Sequence, residues 1–157
     1  MKTNACRILD ALNIHYTTCE YTVDPGDLTG QTVARKIGLP EEQVFKTLLC
    51  CIDATEFIFA VLSVAQELNF KKLAAAAGGR KAKLTSLNEV QPLTGYIRGG
   101  VTVFGSKKEF PAYVDPSIEQ YGTISVSAGT RGLQILLSPA DYIRAANATV
   151  IDITGDA

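Results

Sequence analysis

The sequence has few of the residues that most hydrolytic enzymes use for catalysis. It contains a single histidine, His15, and no tryptophan. Catalysis by histidine needs a positioned partner, and His15 lies instead beside Tyr16 at the start of a predicted strand, so we do not expect a Ser-His-Asp hydrolase. No group of His, Cys, Asp and Glu has the spacing of metal ligands. We therefore predict chemistry without a metal ion or a cofactor.

Cysteine is scarce, and its pattern excludes two common roles. The cysteines show neither zinc-ligand spacing nor the framework of a disulfide-rich protein. Two of them are adjacent in an apolar run, and on a strand they would point to opposite faces. We predict reduced side chains in the core at all positions: Cys6, Cys19, Cys50 and Cys51.

Targeting signals and long apolar runs are also missing. Residues 1–7 lack the apolar core of a signal peptide, and no apolar stretch has the length needed to span a bilayer. We expect a cytoplasmic protein without a membrane partner. The formal net charge is only -1, so the chain has no overall attraction for nucleic acid. We predict no DNA binding, and an RNA partner would have to meet a local basic patch.

The composition is that of a globular protein. Of the 157 residues, 46% are hydrophobic and 20% charged, which predicts one domain over residues 1–157. Helix and strand patterns alternate without a regular βαβ rhythm, so we predict an α/β protein of the α+β type, with a mixed, barrel-like sheet and flanking helices. The predicted helices are 3–12, 30–37, 69–77, 138–147 and a short one that a capping box opens at 86–89. The predicted strands are 16–23, 45–52, 56–64, 101–104, 112–115, 123–127, 133–137 and 149–153, with the second and third paired antiparallel.

The most informative residue is a lysine inside an apolar strand. Lys46 lies in the run VFKTLLCCI at 44–52, which is typical of a strand buried on both faces. Its ammonium group must reach water, a paired charge or the oxygen atoms of a ligand. One interpretation is a lysine whose methylene groups cover apolar surface. The other is a cation at a pocket mouth that binds a phosphate, carbonyl or carboxylate group.

Two glycine-rich segments follow. In the first, TGYIRGG at 94–100, glycines in apolar company mark either a bulged strand or a close backbone approach to a ligand. In the second, SAGTRG at 127–132, several backbone N–H groups could bind an oxyanion, although a plain hairpin has the same pattern. Neither known phosphate-loop spacing occurs in the chain.

The densest positive segment lies near the middle of the chain. Its interpretation as a solvated face competes with contact to a phosphate backbone. It has no interleaved aromatic residues, so stacking on single-stranded bases is not indicated. The segment comprises Lys71, Lys72, Arg80, Lys81 and Lys83.

Three ordered segments together resemble the YbaK family of aminoacyl-tRNA editing proteins. They are VFKTLL at 44–49, TGYIRGG at 94–100 and VSAGTRGL at 126–133, and the similarity covers almost the whole chain. The chain is most similar to the free-standing bacterial Cys-tRNA(Pro) deacylases. These are relatives of the editing domain inserted in bacterial prolyl-tRNA synthetases.

The resemblance implies a function and a set of site residues. It implies hydrolysis of cysteine wrongly attached to proline tRNA, with Lys46 as the key pocket residue and Tyr21, Gly99 and Gly100 shaping the site. The implied mechanism uses no protein nucleophile, because the thiol of the substrate attacks its own ester carbonyl and the tRNA leaves. Further substrate-binding roles fall to Thr47, Ser127, Gly129, Arg131 and Gln134.

Two positions depart from the pattern of the family. Many relatives have proline where this chain has Val103, so the pocket is expected to differ in shape there. Some relatives have an acidic residue where this chain has Gln134, so a charged role at that position does not transfer.

The resemblance also implies partners and leaves alternatives open. The partners are the acceptor end of tRNA(Pro) and prolyl-tRNA synthetase in a transient complex. One alternative is deacylation of another small aminoacyl-tRNA such as Ala-tRNA(Pro), which Val103 and Phe104 could favour through the shape of the pocket. The other is a module that binds tRNA ends or small ligands without turnover, as expected if Lys46 only anchors a phosphate group.

Overall fold

The computed structural model describes residues 2–155. The predicted domain 1–157 also includes Met1, Asp156 and Ala157, which lie outside the described residues. The helices are α1 (Asn4–Ala11), α2 (Gly30–Ile37), α3 (Phe70–Ala76), α4 (Leu87–Thr94) and α5 (Pro139–Ala146). The strands are β1 (Thr17–Glu20), β2 (Phe45–Ile52), β3 (Glu56–Ser63), β4 (Ala82–Leu84), β5 (Ala112–Val114), β6 (Ile124–Ser127), β7 (Leu133–Leu137) and β8 (Thr149–Val150).

The strands form two sheets that are connected by one backbone bridge. The larger has the order β4-β2-β3-β5-β8, and the smaller has the order β1-β7-β6. The β2–β3 pair is antiparallel, as predicted, whereas β3–β5 and β5–β8 are parallel. A parallel bridge between Val44 and Ser125 joins the two sheets just before β2 begins. The predicted mixed α/β fold is confirmed.

The helix termini follow local sequence rules. Thr29 caps α2 by accepting a hydrogen bond from the Thr32 N–H group, and Gly38 ends it with a left-handed φ of 74°. Ser138 caps α5 in the same way, with Pro139 in the first turn. The predicted capping box is only partly correct, because α4 does begin after Ser86 but the Ser86 side chain makes no capping hydrogen bond.

The core consists of separate clusters on the two faces of the larger sheet. The largest packs α1, α5 and the smaller sheet against one face, and the Phe104 and Tyr142 rings meet edge to face there, with centroids 5.5 Å apart. A second cluster on the other face packs Leu73 of α3 against Cys50 and Ile52 of β2. These two faces receive alternate side chains of β2.

The cysteine prediction is correct in part. All the cysteines are free thiols, and Cys6, Cys50 and Cys51 are buried. Burial raises the pKa of the Cys50 thiol to about 12, and the nearby Cys51 adds to this rise, so Cys50 is a poor nucleophile. Cys19 is only partly buried, because it lies on β1 at the edge of the smaller sheet.

One strand prediction is wrong, and one strand was not predicted. Residues 101–104 form no strand, because their apolar side chains pack into the core from a turn: Phe104 is buried, and Gly105 follows with a φ of 74°. Conversely, β4 was not predicted, because its exposed Lys83 and Leu84 look like a solvated segment. Its strand conformation comes from pairing with the end of β2, which local sequence does not specify.

The outermost strands are shorter than predicted. β1 covers only part of the predicted 16–23, and β8 ends at Val150 rather than at residue 153. Beyond β8, the Ile153 N–H group donates to the Asp115 carboxylate, 3.5 Å away, in place of a ladder partner. None of the helices within residues 2–155 has the length and hydropathy to cross a membrane.

Candidate functional site

A cavity of about 530 Å³ opens along the free edge of β2. One end of this edge is closed by the Val44–Ser125 bridge, and the other by β4, whose neighbour Thr85 donates its N–H group to the Leu49 carbonyl oxygen at 3.0 Å. Between these points no strand within residues 2–155 is paired with this edge of β2. The cavity therefore receives side chains from both faces of β2 and from the loops that close over its edge.

Lys46 lies on the wall of this cavity in a half-buried position. Its ammonium group donates a hydrogen bond to the backbone carbonyl oxygen of Gln66 at 3.4 Å. Burial lowers the pKa of Lys46, and the negative charge of Glu67 opposes this shift. A desolvated cation with a single acceptor can still donate to oxygen atoms of a ligand.

The segment that contacts Lys46 is held by a buried polar network. The Gln66 side chain donates to the Asp115 carboxylate at 3.4 Å and accepts from the Ser117 hydroxyl at 3.1 Å. Asp115 is buried, and it also accepts from the Ser117 N–H group and from the Thr154 hydroxyl, each at 3.1 Å. This network fixes the position of the carbonyl group that Lys46 contacts.

The first glycine-rich segment forms another part of the wall. Arg98 and Gly99 line the cavity, and Gly99 has a φ of 89°, which favours glycine. The Arg131 guanidinium donates to the Arg98 carbonyl oxygen at 2.8 Å. A side chain at Gly100 would approach the backbone of Thr130 at 3.2 Å. The two glycine-rich segments therefore pack directly against each other, and Arg131 braces the turn that carries Arg98.

The second glycine-rich segment brings Ser127 to the cavity. The Ser127 hydroxyl accepts a hydrogen bond from the Gly129 N–H group at 3.1 Å, so this N–H group is engaged within the loop. Gly129 has a φ of 97°, and a side chain there would approach the Tyr96 ring at 3.1 Å. The small residues of this loop thus allow close packing against the first segment.

Gln134 contributes a neutral polar group from β7. It is buried, lines the cavity and accepts a hydrogen bond from the Ser125 hydroxyl at 2.8 Å. Its carbonyl oxygen is used in this bond. The amide nitrogen donates no hydrogen bond within residues 2–155 and is the part of Gln134 available to a ligand.

The start of α2 forms a wall that the sequence did not indicate. Thr29, Gly30 and Gln31 line the cavity, and the Gln31 side chain donates to the Val64 carbonyl oxygen at 2.8 Å. A methyl group added at Gly30 would overlap the Val64 side chain. Glycine is therefore required for α2 to lie this close to the end of β3.

The predicted site residues fall into two groups. Lys46, Thr47, Gly99, Ser127 and Gln134 line the cavity. The others lie outside its wall: Gly100, Gly129 and Arg131 shape the two packed loops, and the Tyr21 N–H group donates to the Gly132 carbonyl oxygen at 3.0 Å beside β7. Val103, where many relatives have proline, also lies outside the cavity wall, whereas Val101 lines the cavity.

Two further cavity residues, besides those at the start of α2, were missed. Arg98 lines the cavity and directly precedes Gly99 and Gly100, so its place in the first glycine-rich segment could have indicated a site residue. Thr85 lines the cavity, and its buried hydroxyl has no hydrogen-bond partner within the described part of the chain. No local pattern marks Thr85, because only the pairing of β4 with β2 brings it to the site.

The basic segment is mostly exposed, and part of it is paired. Lys72 forms an ion pair with Asp152 at 2.8 Å, and the Arg80 and Lys81 N–H groups donate to the Asp53 carboxylate. Lys83 lies on β4, at the edge of the larger sheet. Contact between this segment and a phosphate backbone stays a prediction. No cluster of potential metal ligands occurs in the region from Lys2 to Gly155.

Comparison with known proteins agrees with this architecture. The family model of the aminoacyl-tRNA editing domain matches residues 25–145. EbsC of Enterococcus faecalis, a candidate Cys-tRNA(Pro)/Cys-tRNA(Cys) deacylase, is 38% identical over 98% of this chain and 93% of its own length. The multifunctional Ser/Thr-tRNA deacylase ProXp-y of Escherichia coli K12 is 29% identical over 68% of this chain and 66% of its own length.

Solved structures show the same fold. The crystal structure of the hypothetical protein APE2540 has a TM-score of 0.88 at 22% identity and covers 98% of this chain and all of its own. A candidate trans-editing enzyme for prolyl-tRNA synthetase has a TM-score of 0.84 at 23% identity over 99% of both chains. The chain belongs to the YbaK family of aminoacyl-tRNA editing domains, which are aminoacyl-tRNA deacylases, so its substrate class is an aminoacyl-tRNA.

Proposed function

We propose that this protein is a trans-editing hydrolase that removes cysteine from mischarged Cys-tRNA(Pro). The observation that carries the proposal is the half-buried Lys46 ammonium on the wall of a 530 Å³ cavity. The name of the 38% identical relative from E. faecalis supports cysteine as the amino acid and tRNA(Pro) as one carrier.

The proposed reaction needs no nucleophile from the protein. The thiol of the bound cysteine attacks the ester carbonyl carbon, the C–O bond to the terminal ribose breaks, and the thiol proton passes to the ribose oxygen. The products are free tRNA and a cysteine thiolactone, which water then opens to cysteine. The substrate thiol is already attached to the ester, so the protein only has to fold it toward the carbonyl.

In this reaction Lys46 acts as a fixed cation. Its ammonium group donates to the carbonyl oxygen, where negative charge develops, or to the neighbouring ribose and phosphate oxygen atoms. Gln66 holds the ammonium group in place without neutralising it, since its contact is a carbonyl oxygen. Thr47, Gly99, Ser127 and Gln134 shape and line the pocket, while Tyr21, Gly100, Gly129 and Arg131 support it from behind.

Amino-acid selection in this scheme is chemical as well as steric. Prolyl esters have a cyclic amine and no thiol, so the attacking group is missing. Alanyl esters also lack a thiol, and their removal would need attack by water. Leu49, Val90 and Val101 form an apolar part of the cavity wall, which suits a side chain without charge.

Substrate specificity is tested with a panel of acylated tRNA(Pro). The purified protein is given Cys-, Ala-, Ser- and Pro-tRNA(Pro), and the initial rate of amino-acid release is measured for each. We expect fast release of cysteine and slow release of serine, which has nearly the same size but a weaker nucleophile. Preference for alanine would support hydrolysis by water instead of the thiol. Tight binding without release from any substrate would favour the binding module.

The protein also needs a source of tRNA specificity. We propose that prolyl-tRNA synthetase supplies it in a transient complex, because the cavity is sized for the aminoacyl end and the net charge of the chain gives little attraction for the rest of the tRNA.

A further inference from the structure

The cavity surrounds a gap in the hydrogen-bonding edge of β2. Residues 44–52 pair with β3 in an antiparallel register in which the Val64 N–H group donates to the Val44 carbonyl oxygen. Because hydrogen-bonded and non-hydrogen-bonded pairs alternate, Lys46 and Leu48 direct their backbone groups toward β3. Phe45, Thr47 and Leu49 direct theirs away from β3, toward the cavity side.

The neighbours of β2 cover both ends of this outer edge but leave its middle open. At the far end, Thr85 donates to the Leu49 carbonyl oxygen and Asp53 donates to the Lys81 carbonyl oxygen, so β4 covers the outward edge of β2 beyond the Leu49 carbonyl group. At the near end, the bridge to β6 lies at Val44. Within residues 2–155, neither the β2–β4 ladder nor the bridge to β6 includes Thr47, whose N–H and carbonyl groups point to this side of the strand.

The outward N–H and carbonyl groups of Thr47, called the open rung here, can bind a ligand because they face the cavity and pair with no strand of the described residues. A buried backbone group without a partner is costly, so these groups favour either water or a ligand with matching donors and acceptors. An aminoacyl ester has the donor and acceptor of one strand residue: an α-ammonium group and, two bonds from its nitrogen-bearing carbon, a carbonyl oxygen. Strand addition to an exposed edge is an established mode of peptide recognition.

We infer that the aminoacyl group of the substrate binds the Thr47 backbone as one residue of a missing strand. This inference rests on the proposed function. The α-ammonium group donates to the Thr47 carbonyl oxygen, and the ester carbonyl oxygen accepts from the Thr47 N–H group. The N–H group is then a second donor to the ester carbonyl, from the strand that also carries Lys46.

This arrangement separates two tasks of the site. The open rung recognises the atoms that all aminoacyl groups share. In a hydrogen-bonded pair both side chains point to the same face, so the amino-acid side chain lies on the Thr47 face of β2. Leu49 lies on that face and packs near Val90 and Val101, which also line the cavity. This wall is therefore where one amino acid is distinguished from another.

The free protein gives the first test, by amide hydrogen exchange measured with NMR. The Lys46 and Leu48 N–H groups are bonded to β3 and exchange slowly. We expect the Thr47 N–H group to exchange at least about 100-fold faster, because only water occupies its side of the strand. Protection of Thr47 equal to that of Lys46 would show that the rung is closed and would overturn the inference.

The second test removes the Thr47 N–H group without changing any side chain. Cell-free translation places the α-hydroxy analogue of threonine at position 47, which converts the amide to an ester. We expect kcat/KM for Cys-tRNA(Pro) to fall about 10- to 100-fold, as for loss of one oxyanion donor. Circular dichroism checks that the variant is folded, and a folded variant with full activity would overturn the inference.

The matched control is the same amide-to-ester replacement at a position in β3. Phe57 lies opposite Cys51 in the β2–β3 pair and directs its N–H group away from β2 and the cavity. The α-hydroxy analogue of phenylalanine at position 57 should leave kcat/KM within twofold of the unmodified protein. An equal loss at positions 47 and 57 would mean general weakening of the sheet and would also overturn the inference.

The activity of the unmodified protein tests the proposed function separately from the inference. If the unmodified protein releases no cysteine from Cys-tRNA(Pro), the proposed function fails. If the unmodified protein is active and the ester at position 47 is equally active, the proposed function stands and the inference fails.

Discussion

The Lys46 ammonium group donates to the backbone carbonyl oxygen of Gln66, 3.4 Å away and twenty residues along the chain. The contact orients the cation without pairing it with an anion, so its positive charge stays available to a substrate. Gln66 in turn is held by Asp115 and Ser117, which follow β5. The Lys46 ammonium group is thus partly desolvated, and the polar network around Gln66 fixes its position.

The pH dependence of the reaction should show the lowered pKa of Lys46. Burial favours the neutral amine, so the ammonium group loses its proton at a lower pH than an ordinary lysine, whose pKa is 10.5. Activity that needs the cation is complete below the pKa and falls as pH rises through it. The measurement is the 13Cε chemical shift of Lys46 against pH, beside kcat/KM. Titration of Lys46 at the ordinary pKa of a lysine, 10.5, would contradict this expectation.

Gly30→Ala should weaken both the fold and the site. The added methyl group would overlap the Val64 side chain and push α2 away from the end of β3. We expect the free energy of unfolding to fall by about 1–3 kcal/mol, the usual cost of overpacking, and KM to rise because α2 forms part of the cavity wall. Urea denaturation and steady-state kinetics measure the two effects.

The control for this substitution is Gly122→Ala. A methyl group at Gly122 meets no atom within 4 Å, and its φ is outside the left-handed region. Gly122→Ala should therefore leave stability and KM unchanged. Equal effects of the two substitutions would show that the contact of Gly30 with Val64 has no special role.

Asp115→Ala should be among the most destabilising single changes in the chain. It would leave the N–H groups of Ser117 and Ile153 and the polar side chains of Gln66 and Thr154 without their shared acceptor. The expected loss is about 3 kcal/mol, because the shared acceptor is a buried carboxylate with several donors. Urea denaturation at pH 7 measures the loss.

Asp152→Ala is the matched control for Asp115. The Asp152 carboxylate is exposed and pairs with Lys72 at the surface. Exposed ion pairs contribute about 0–1 kcal/mol, so the control should cost much less. A loss of stability that is the same for both substitutions would contradict the role assigned to the buried network.

Prolyl-tRNA synthetase should supply discrimination between tRNAs. Alone, the protein is expected to release cysteine from Cys-tRNA(Pro) and Cys-tRNA(Cys) at similar rates, because the proposed contacts of the cavity are with the aminoacyl end alone. Addition of the synthetase should increase the ratio of the two rates in favour of tRNA(Pro). A ratio that the synthetase leaves unchanged would exclude the proposed complex.

Local sequence patterns predicted the elements whose character is set by their own residues. The bounds of α2 follow from the Thr29 cap and from Gly38, and the β2–β3 hairpin follows from two apolar runs with a short turn. The patterns failed where packing decides. Val101, Val103 and Phe104 pack into the core from a turn and not from a strand, and β4 is a strand only because β2 pairs with it.

The site residues also divide into those that local sequence indicates and those that only long-range packing brings to the cavity. Lys46 could be predicted as a cavity residue because a charge inside an apolar run needs a polar partner. Gly99 could be predicted because glycines in apolar company often mark a close approach of the backbone. Thr85 and the start of α2 could not be predicted, since they reach the cavity through contacts distant in sequence. Arg131 was predicted to contact the substrate, but in the structure it donates to the Arg98 carbonyl oxygen. Its substrate contact stays a prediction.

The most direct test of the account is the rate of cysteine release from Cys-tRNA(Pro) by the wild-type protein and by Lys46→Ala, measured side by side at pH 7. Lys36→Ala is the control for loss of a lysine whose ammonium group contacts a carbonyl oxygen outside the cavity wall. We predict rapid release by the wild type and the control, and at least about a 100-fold loss for Lys46→Ala. Equal release by a folded Lys46→Ala variant, or none by the wild type, would contradict the account.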